Sequence, residues 1–83
     1  MGDILYLTKA KYLQNYQIEI EFSSGDKRLV DLKNHLDKPV FLPLKDLEFF
    51  KQVKLNPDTD TIEWPNTADF APEFLLKIGK PIN

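Results

Sequence analysis

The chain of 83 residues carries 11 basic and 13 acidic side chains, and its formal charge of −2 leaves no basic stripe for direct binding to nucleic acid. It contains no Cys and one His, which argues against disulfides, thiolate chemistry and zinc sites. The sequence has neither a signal peptide nor an apolar run of about 18 residues. We therefore expect one domain over residues 1–83, cytoplasmic and without membrane contact.

The amino-terminal third of the chain predicts strands. Residues 4–13 favour a strand, but the alternation is weak and neither face is purely apolar, so its buried side stays open. A short turn is predicted at Gln14 and Asn15. The run over residues 16–22 is the clearest strand, because four apolar residues alternate with polar ones. These apolar residues are Tyr16, Ile18, Ile20 and Phe22.

A hairpin is predicted where this strand meets a second run that begins at Asp26. A two-residue loop would place charged residues on the face of Phe22. A three-residue loop with Gly25 at positive φ would instead pair Phe22 with Asp26 and Ile18 with Val30. Because the second register brings apolar residues together, we predict that register.

Two connections and a short helix are predicted for the middle of the chain. Residues 33–37 suit one helical turn. Residues 39–43 have Pro at both ends and predict an extended connector that lies across the core rather than a regular helix. Asp46 is a candidate N-cap for a helix that runs from Leu47 to Val53.

A second hairpin and a second helix complete the predicted elements. Residues 53–56 and 61–64 flank a Pro-Asp-Thr-Asp turn. Residues 72–78 predict a short helix with Pro72 in its first turn and Gly79 at its C′ position. The predicted fold class is α+β, a small and mainly antiparallel sheet of two β-hairpins packed against two short helices.

The sharpest change of local character falls at residues 61–75, where a strand, a tight loop and a helix follow one another. Trp64 is interpreted as a core anchor, with an interface contact as the alternative. Asp69 would cap the exposed N–H groups of the helix, and Glu73 would suit its dipole. The candidate interaction or structural loop comprises Trp64, Pro65, Asn66, Asp69 and Glu73.

This chain contains four motifs that occur together in one known family. They are a strand ending in Phe22 before a turn at Gly25, a Val-Asp-Leu strand end at residues 30–32, Leu44 with Asp46 and Phe50, and a terminal signature over residues 62–75. The set resembles a small, mainly bacterial family known as domain of unknown function 2442. The resemblance covers nearly the whole chain and implies the fold described above, with no established activity.

The resemblance also implies a setting and one local departure. Some relatives carry an appended helix-turn-helix domain, and others sit beside small genes suspected of being toxin–antitoxin pairs, which implies a regulatory role. Thr67 stands where the family usually has Gly. If that position needs positive φ, Thr is costly there, so we expect the loop to take another shape.

No constellation of reactive side chains stands out. His35 lies in a polar segment and is interpreted as solvent-facing or capping. The Asp-Thr-Asp run at residues 58–60 starts like a calcium loop but lacks the required Gly and distal Glu. Asp69 and Glu73 are the one carboxylate pair that could support acid–base chemistry, and a structural role is favoured for both. We predict no catalytic residue, no cofactor and no metal site.

Three functions remain open at this point. The leading hypothesis is a small non-enzymatic interaction module that binds another protein or its own copy, with free sheet edges suited to strand addition. The alternative is the sensing or dimerising half of a DNA-associated transcriptional regulator. The third is an enzyme that uses Asp69 and Glu73.

Overall fold

The computed structural model describes residues 5–82 and contains two antiparallel sheets with short helices. The strands are β1 (Leu7–Gln14), β2 (Gln17–Phe22), β3 (Lys27–Asp31), β4 (Lys54–Asn56), β5 (Thr61–Glu63) and β6 (Lys80–Pro81), and the α-helices are α1 (Leu47–Phe50) and α2 (Pro72–Ile78). A four-stranded sheet has the order β1-β2-β3-β6, and a two-stranded sheet pairs β4 with β5. The predicted α+β class is confirmed. The two hairpins, expected in one sheet, lie in separate sheets.

A bulge explains why the first strand showed no clean alternation. Leu7 lies opposite Phe22, whereas Lys9 lies opposite Glu21, so Thr8 is an extra residue in β1. An extra residue moves everything after it to the other face of the sheet. Leu7 and Ala10 therefore both contribute to the core although their spacing is odd. Residue 4, which the predicted strand included, lies outside the described residues.

The turn between β1 and β2 lies one residue later than predicted. Its central residues are Asn15 and Tyr16, with φ of 47° and 67°. Positive φ at both positions is the type I′ geometry that matches the twist of a hairpin. Tyr16 thus belongs to the turn rather than to β2, and its ring packs edge-on against Phe50 at 5.1 Å. Its hydroxyl donates to the carbonyl of Lys45.

The hairpin of β2 and β3 confirms the predicted register. Gly25 has φ of 90°, and the Phe22 N–H donates to the Asp26 carbonyl at 2.8 Å. Ile18 lies opposite Val30, and both side chains are fully buried. The three-residue loop thus places the apolar residues of both strands on the core face.

The segment between the sheets is helical in two places. A 3-10 turn at Lys33–His35 confirms the predicted helical turn. The extended connector predicted for residues 39–43 is wrong, because Pro39–Lys45 forms a 3-10 helix. Pro39 suits a first helical position, and short i→i+3 turns such as the Phe41 N–H bond to the Lys38 carbonyl need no α-helical ladder.

Both predicted α-helices form, but only α2 ends at the predicted residue. Asp46 caps α1, its Oδ1 accepting from the Glu48 N–H at 3.1 Å as predicted, but α1 ends at Phe50 rather than continuing to Val53. Helix α2 has the predicted bounds. Gly79 has φ of −73°, so it is not the left-handed C′ residue that was expected.

Gly79 is required for close approach instead. A Cβ on Gly79 would lie 2.8 Å from the Cβ of Arg28, well inside van der Waals contact. The glycine lets the chain leave α2 and run directly along β3, where Lys80 and Pro81 form β6 opposite Leu29 and Arg28. This sixth strand was not predicted.

The core lies between the apolar face of the four-stranded sheet and the remaining elements. Buried residues of β2 and β3 join those of the second hairpin, of both α-helices and of the connecting segment. The buried hydrophobic residues are Leu7, Ile18, Ile20, Phe22, Val30, Leu32, Leu36, Leu44, Phe50, Ile62, Trp64, Ala68, Phe70 and Leu75. Among residues 5–82, no helix combines the length and apolar character needed to cross a bilayer.

Candidate functional site

Trp64 anchors the candidate loop in the core. Its side chain is 1% exposed, and its indole Nε1–H donates to the Phe50 carbonyl at 2.9 Å. Its ring lies 5.4 Å from the ring of Phe50 and 5.9 Å from that of Phe70. The core interpretation is therefore confirmed, and Trp64 is not available as a surface contact.

A tight turn follows Trp64, and Asn66 holds it in two directions. The Asn66 Oδ1 accepts from the Ala68 N–H at 3.2 Å, within the turn. Its Nδ2 donates to the Val40 carbonyl at 3.1 Å, on the 3-10 helix. The exposed Pro65 and the turn behind it are thereby tied to a segment more than twenty residues earlier in the chain.

Thr67 takes the left-handed conformation that glycine favours. Its φ is 66°, and the N–H of Thr67 and the carbonyl of Ala68 both bond to the backbone of Trp64, at 2.9 and 3.0 Å. A β-branched residue at positive φ is strained, at a cost of about 1–3 kcal/mol. The expectation that the loop would change shape to avoid this conformation is wrong, because the backbone bonds to Trp64 hold the turn.

Asp69 does not cap α2, so that prediction is wrong. The N-cap residue is Ala71, and no side chain hydrogen-bonds to the first turn of the helix. Asp69 forms an isolated antiparallel bridge with Glu63 through the backbone, and its side chain is exposed. Because the chain is still extended at residues 69–71, the Asp69 carboxylate lies too early in the chain to reach the helical N–H groups.

An open cleft of about 360 Å³ lies beside this loop. Two segments line it, residues 35–41 and residues 69–74. The lining combines aromatic rings with exposed charged side chains. The lining residues are His35, Asp37, Lys38, Phe41, Asp69, Phe70, Ala71 and Phe74.

The aromatic rings of the cleft are stacked on one another. The rings of Phe41 and Phe70 are 4.4 Å apart with an interplanar angle of 8°, and those of Phe70 and Phe74 are 5.6 Å apart at 13°. Thr61, which is 3% exposed, fixes Phe70 because its Oγ1 donates to the Phe70 carbonyl at 2.6 Å. The cleft therefore has a rigid apolar wall.

Sequence reasoning missed this cleft except for Asp69. The i,i+4 spacing of Phe70 and Phe74 was not a usable signal, because Phe70 lies before the start of α2 at Pro72 and the two residues do not share a helix surface. Phe41 could not be placed beside either of them, because it lies in a segment predicted to be extended. His35, interpreted as solvent-facing or capping, is half-buried and packs edge-on against Phe74 at 5.3 Å.

Glu73 and the turn at residues 57–60 lie outside the lining of the cleft. Glu73 lies in the first turn of α2, where its charge suits the helix dipole. It does not line the cleft that Asp69 borders, so the cleft does not enclose both carboxylates. Residues 57–60 form the predicted turn, with the Asn56 Oδ1 accepting from the Asp58 N–H at 2.8 Å. Within the described part of the chain, no group of three or more His, Cys, Asp or Glu residues could hold a metal ion.

Two large apolar side chains are exposed next to the loop. Val40 and Leu42 are 47% and 48% exposed and flank Phe41, which turns inward. The bond from Asn66 to the Val40 carbonyl ties the 3-10 helix that carries them to the turn at Pro65. The 3-10 helix thus combines an inward aromatic residue with an apolar outer surface.

Comparison with known proteins places the chain in a family. A family model described as "Protein of unknown function (DUF2442)" matches residues 7–81. No curated protein and no solved structure matches the chain. Since the match runs from β1 to β6 and includes both sheets and the cleft, the chain belongs to the DUF2442 family.

Proposed function

We propose that the protein is a small, cytoplasmic, non-enzymatic interaction module that binds another protein or its own copy in a regulatory setting. The single observation that carries this proposal is the exposure of Val40 and Leu42 on a segment that is tied to the rigid loop by Asn66. Exposed apolar side chains that lie close together are typical of protein-binding surfaces, and Val40 and Leu42 are two positions apart on one short helix. We name Val40, Leu42 and Pro65 the apolar surface.

Contact through side chains is better supported than addition of a strand at the sheet edge formed by β6. Strand β6 already occupies the outer edge of β3, and Pro81 has no N–H to donate. At the other edge, the Leu7 N–H at the start of β1 donates to the Asp60 carbonyl beside β5. The edge at β6, which is two residues long and ends in Pro81, is therefore a poor template for a further strand.

Direct DNA binding is not part of the proposal. Arg28, on the core face of β3, is committed to internal partners, namely Asp26 at 3.2 Å and the carbonyls of Leu76 and Gly79 at 3.4 and 3.2 Å. Phosphate contacts would have to come from scattered lysines, which favours weak binding. Submicromolar, steeply salt-dependent binding to duplex DNA would contradict this part of the proposal.

The test is a double substitution in the apolar surface, Val40→Ser with Leu42→Ser. The matched control is Tyr6→Ser with Leu13→Ser, which changes side chains that are 39% and 42% exposed elsewhere in the chain. Self-association is measured by sedimentation equilibrium, and a partner is captured from the host cell with the full chain as bait. We expect the first variant to lose the interaction and the control to retain it. Equal behaviour of the two variants would contradict the proposal.

A further inference from the structure

We propose that the cleft beside the loop receives a cationic side chain, arginine or lysine, from a partner protein. The inference rests on the proposed function, because it names the chemistry of a partner that lies on the apolar surface. Phe41 lines the cleft and is flanked in the chain by Val40 and Leu42. A segment lying across those two residues can therefore insert one side chain into the cleft.

The wall of the cleft suits the methylene stem of such a side chain. Phe41, Phe70 and Phe74 form a continuous stack, so the faces of neighbouring rings are turned toward each other. An aromatic cage would need open ring faces around the charge. The stack instead offers apolar contact, and long cationic side chains commonly bury their stems along apolar surface while the charge remains at the rim.

The rim of the cleft suits the charged end. Asp37 and Asp69 are both exposed at the lining. Within residues 5–82, neither carboxylate has a side-chain hydrogen bond or an ion pair, and Lys38, which also lines the cleft, pairs with neither. Two carboxylates against one ammonium leave the lining acidic. Carboxylates are acceptors only, and guanidinium and ammonium groups are their strongest donors.

Other occupants fit this lining less well. An anionic group would be repelled by both aspartates. A wholly apolar side chain would cover the two carboxylates without supplying a donor, which costs free energy for each desolvated polar group. A cation with an aliphatic stem matches the wall and the rim together.

A second cleft shows why the charge of the lining matters. This open cleft of about 520 Å³ runs along β1 and β2. Its lining includes three lysines and two glutamates. Lys9 lies opposite Glu21, and Lys11 lies opposite Glu19. Three lysines against two glutamates leave that lining basic, so it does not favour a cationic ligand.

The test is a titration of the full, ¹⁵N-labelled chain followed by heteronuclear NMR. The probes are N-acetyl-L-arginine amide and N-acetyl-L-lysine amide, and the control is N-acetyl-L-citrulline amide, which keeps the stem and shape of arginine without its charge. A ligand of this size should bind with a Kd on the order of 1 mM. We expect saturable shifts at the non-proline amides of residues 35–41 and 69–74 with a cationic probe, and none with citrulline.

One variant neutralises the two carboxylates that line the cleft, and a control variant neutralises one that does not line it. Asp37→Asn with Asp69→Asn should weaken binding at least about tenfold, because hydrogen bonds to charged groups are lost. Glu73→Gln, which removes an exposed charge outside the lining, should leave the affinity unchanged. The dispersion of the spectra reports whether each variant is folded, and the citrulline comparison does not depend on any variant.

Three results would overturn the inference. They are the same affinity for citrulline and arginine, saturable shifts confined to the cleft along β1 and β2, and undiminished binding to the double aspartate variant. If neither cationic probe binds but partner capture still depends on Val40 and Leu42, the cleft inference fails and the proposed function stands. If a cationic probe binds in the cleft but the Val40→Ser with Leu42→Ser variant still captures the partner, the proposed role of the apolar surface fails and the cleft inference stands.

Discussion

The β2–β3 hairpin and the loop that follows β5 contribute to the same core but are held by different kinds of contact. The hairpin is a continuous backbone ladder, with Ile18 opposite Val30 and Ile20 opposite Arg28. The loop has the two backbone bonds of its turn, and side-chain hydrogen bonds tie it to the rest of the fold. Trp64 and Asn66 donate to the carbonyls of Phe50 and Val40, and Thr61 of β5 donates to the carbonyl of Phe70. Stability in the loop is therefore concentrated in a few groups, and single substitutions should have larger effects there than in the hairpin.

The largest effect is expected at Trp64. Trp64→Ala should lower the free energy of unfolding by about 3–5 kcal/mol, because it removes a buried ring and its hydrogen bond to the Phe50 carbonyl. Trp64→Phe keeps an aromatic ring and should cost about 1–3 kcal/mol through the lost hydrogen bond and the smaller ring. Urea unfolding followed by far-UV circular dichroism measures both. The control in the hairpin is Ile20→Val, which should lower the free energy of unfolding by about 0.5–1.5 kcal/mol. A larger loss for Ile20→Val than for Trp64→Ala would contradict the stated difference between the hairpin and the loop.

The next effect is expected at Thr61. Thr61→Val keeps the side-chain shape but leaves the buried Phe70 carbonyl without its hydroxyl donor, which should cost about 1–3 kcal/mol. Thr59→Val is the matched control, since Thr59 is exposed and its Oγ1 lies 3.4 Å from the Asn56 carbonyl. The control should change stability by less than about 0.5 kcal/mol. Equal midpoints in a urea titration would show that the buried hydroxyl contributes nothing.

Asp46, which caps α1, and Asp69, which precedes the N-cap of α2, should behave differently. Asp46→Ala removes the cap of α1 and should lower stability by about 1 kcal/mol. Asp69→Ala should change stability by less than about 0.5 kcal/mol, since Asp69 is exposed and caps nothing. Thermal unfolding of the two variants side by side gives the difference. A larger loss for Asp69→Ala would restore its interpretation as a helix cap.

The smallest effect is a gain at Thr67. Thr67→Gly should raise stability by about 0.5–1 kcal/mol, because relief of the strain at φ of 66° outweighs the greater chain entropy of glycine. Thr59→Gly has no positive φ to relieve and should show no gain. Differential scanning calorimetry resolves the two midpoints. A loss of stability in Thr67→Gly would mean that the threonine side chain supports the turn.

Candidate site residues were predictable only where their role is local. Glu73 follows Pro72 in the first turn of a helix whose ends are marked in the sequence, and its place was predicted. Asp69 looked like a cap from its spacing, but its backbone pairs with Glu63, and nothing near Asp69 in the sequence signals that pairing. The cleft was out of reach because Phe41 and Phe70 are 29 positions apart and meet through the tertiary fold.

The sequence by itself determined the features that depend on neighbours in the chain. The register of the β2–β3 hairpin follows from alternation and Gly25, the start of α1 from Asp46, and the start of α2 from Pro72. In each case a backbone preference or a single nearby hydrogen bond is strong enough to decide the conformation.

Only the tertiary structure decided the bulge at Thr8, the 3-10 helix from Pro39 to Lys45, the pairing of β6 and the assembly of the cleft. The physical reason is the same for all four. In each case, burial or hydrogen bonding against residues far away in the chain overrides a local backbone preference. Gly79, for example, does not adopt the left-handed cap, and β6 instead lies against Arg28. The outcome depends on which distant residues pack against the segment, and the packing of the core determines that.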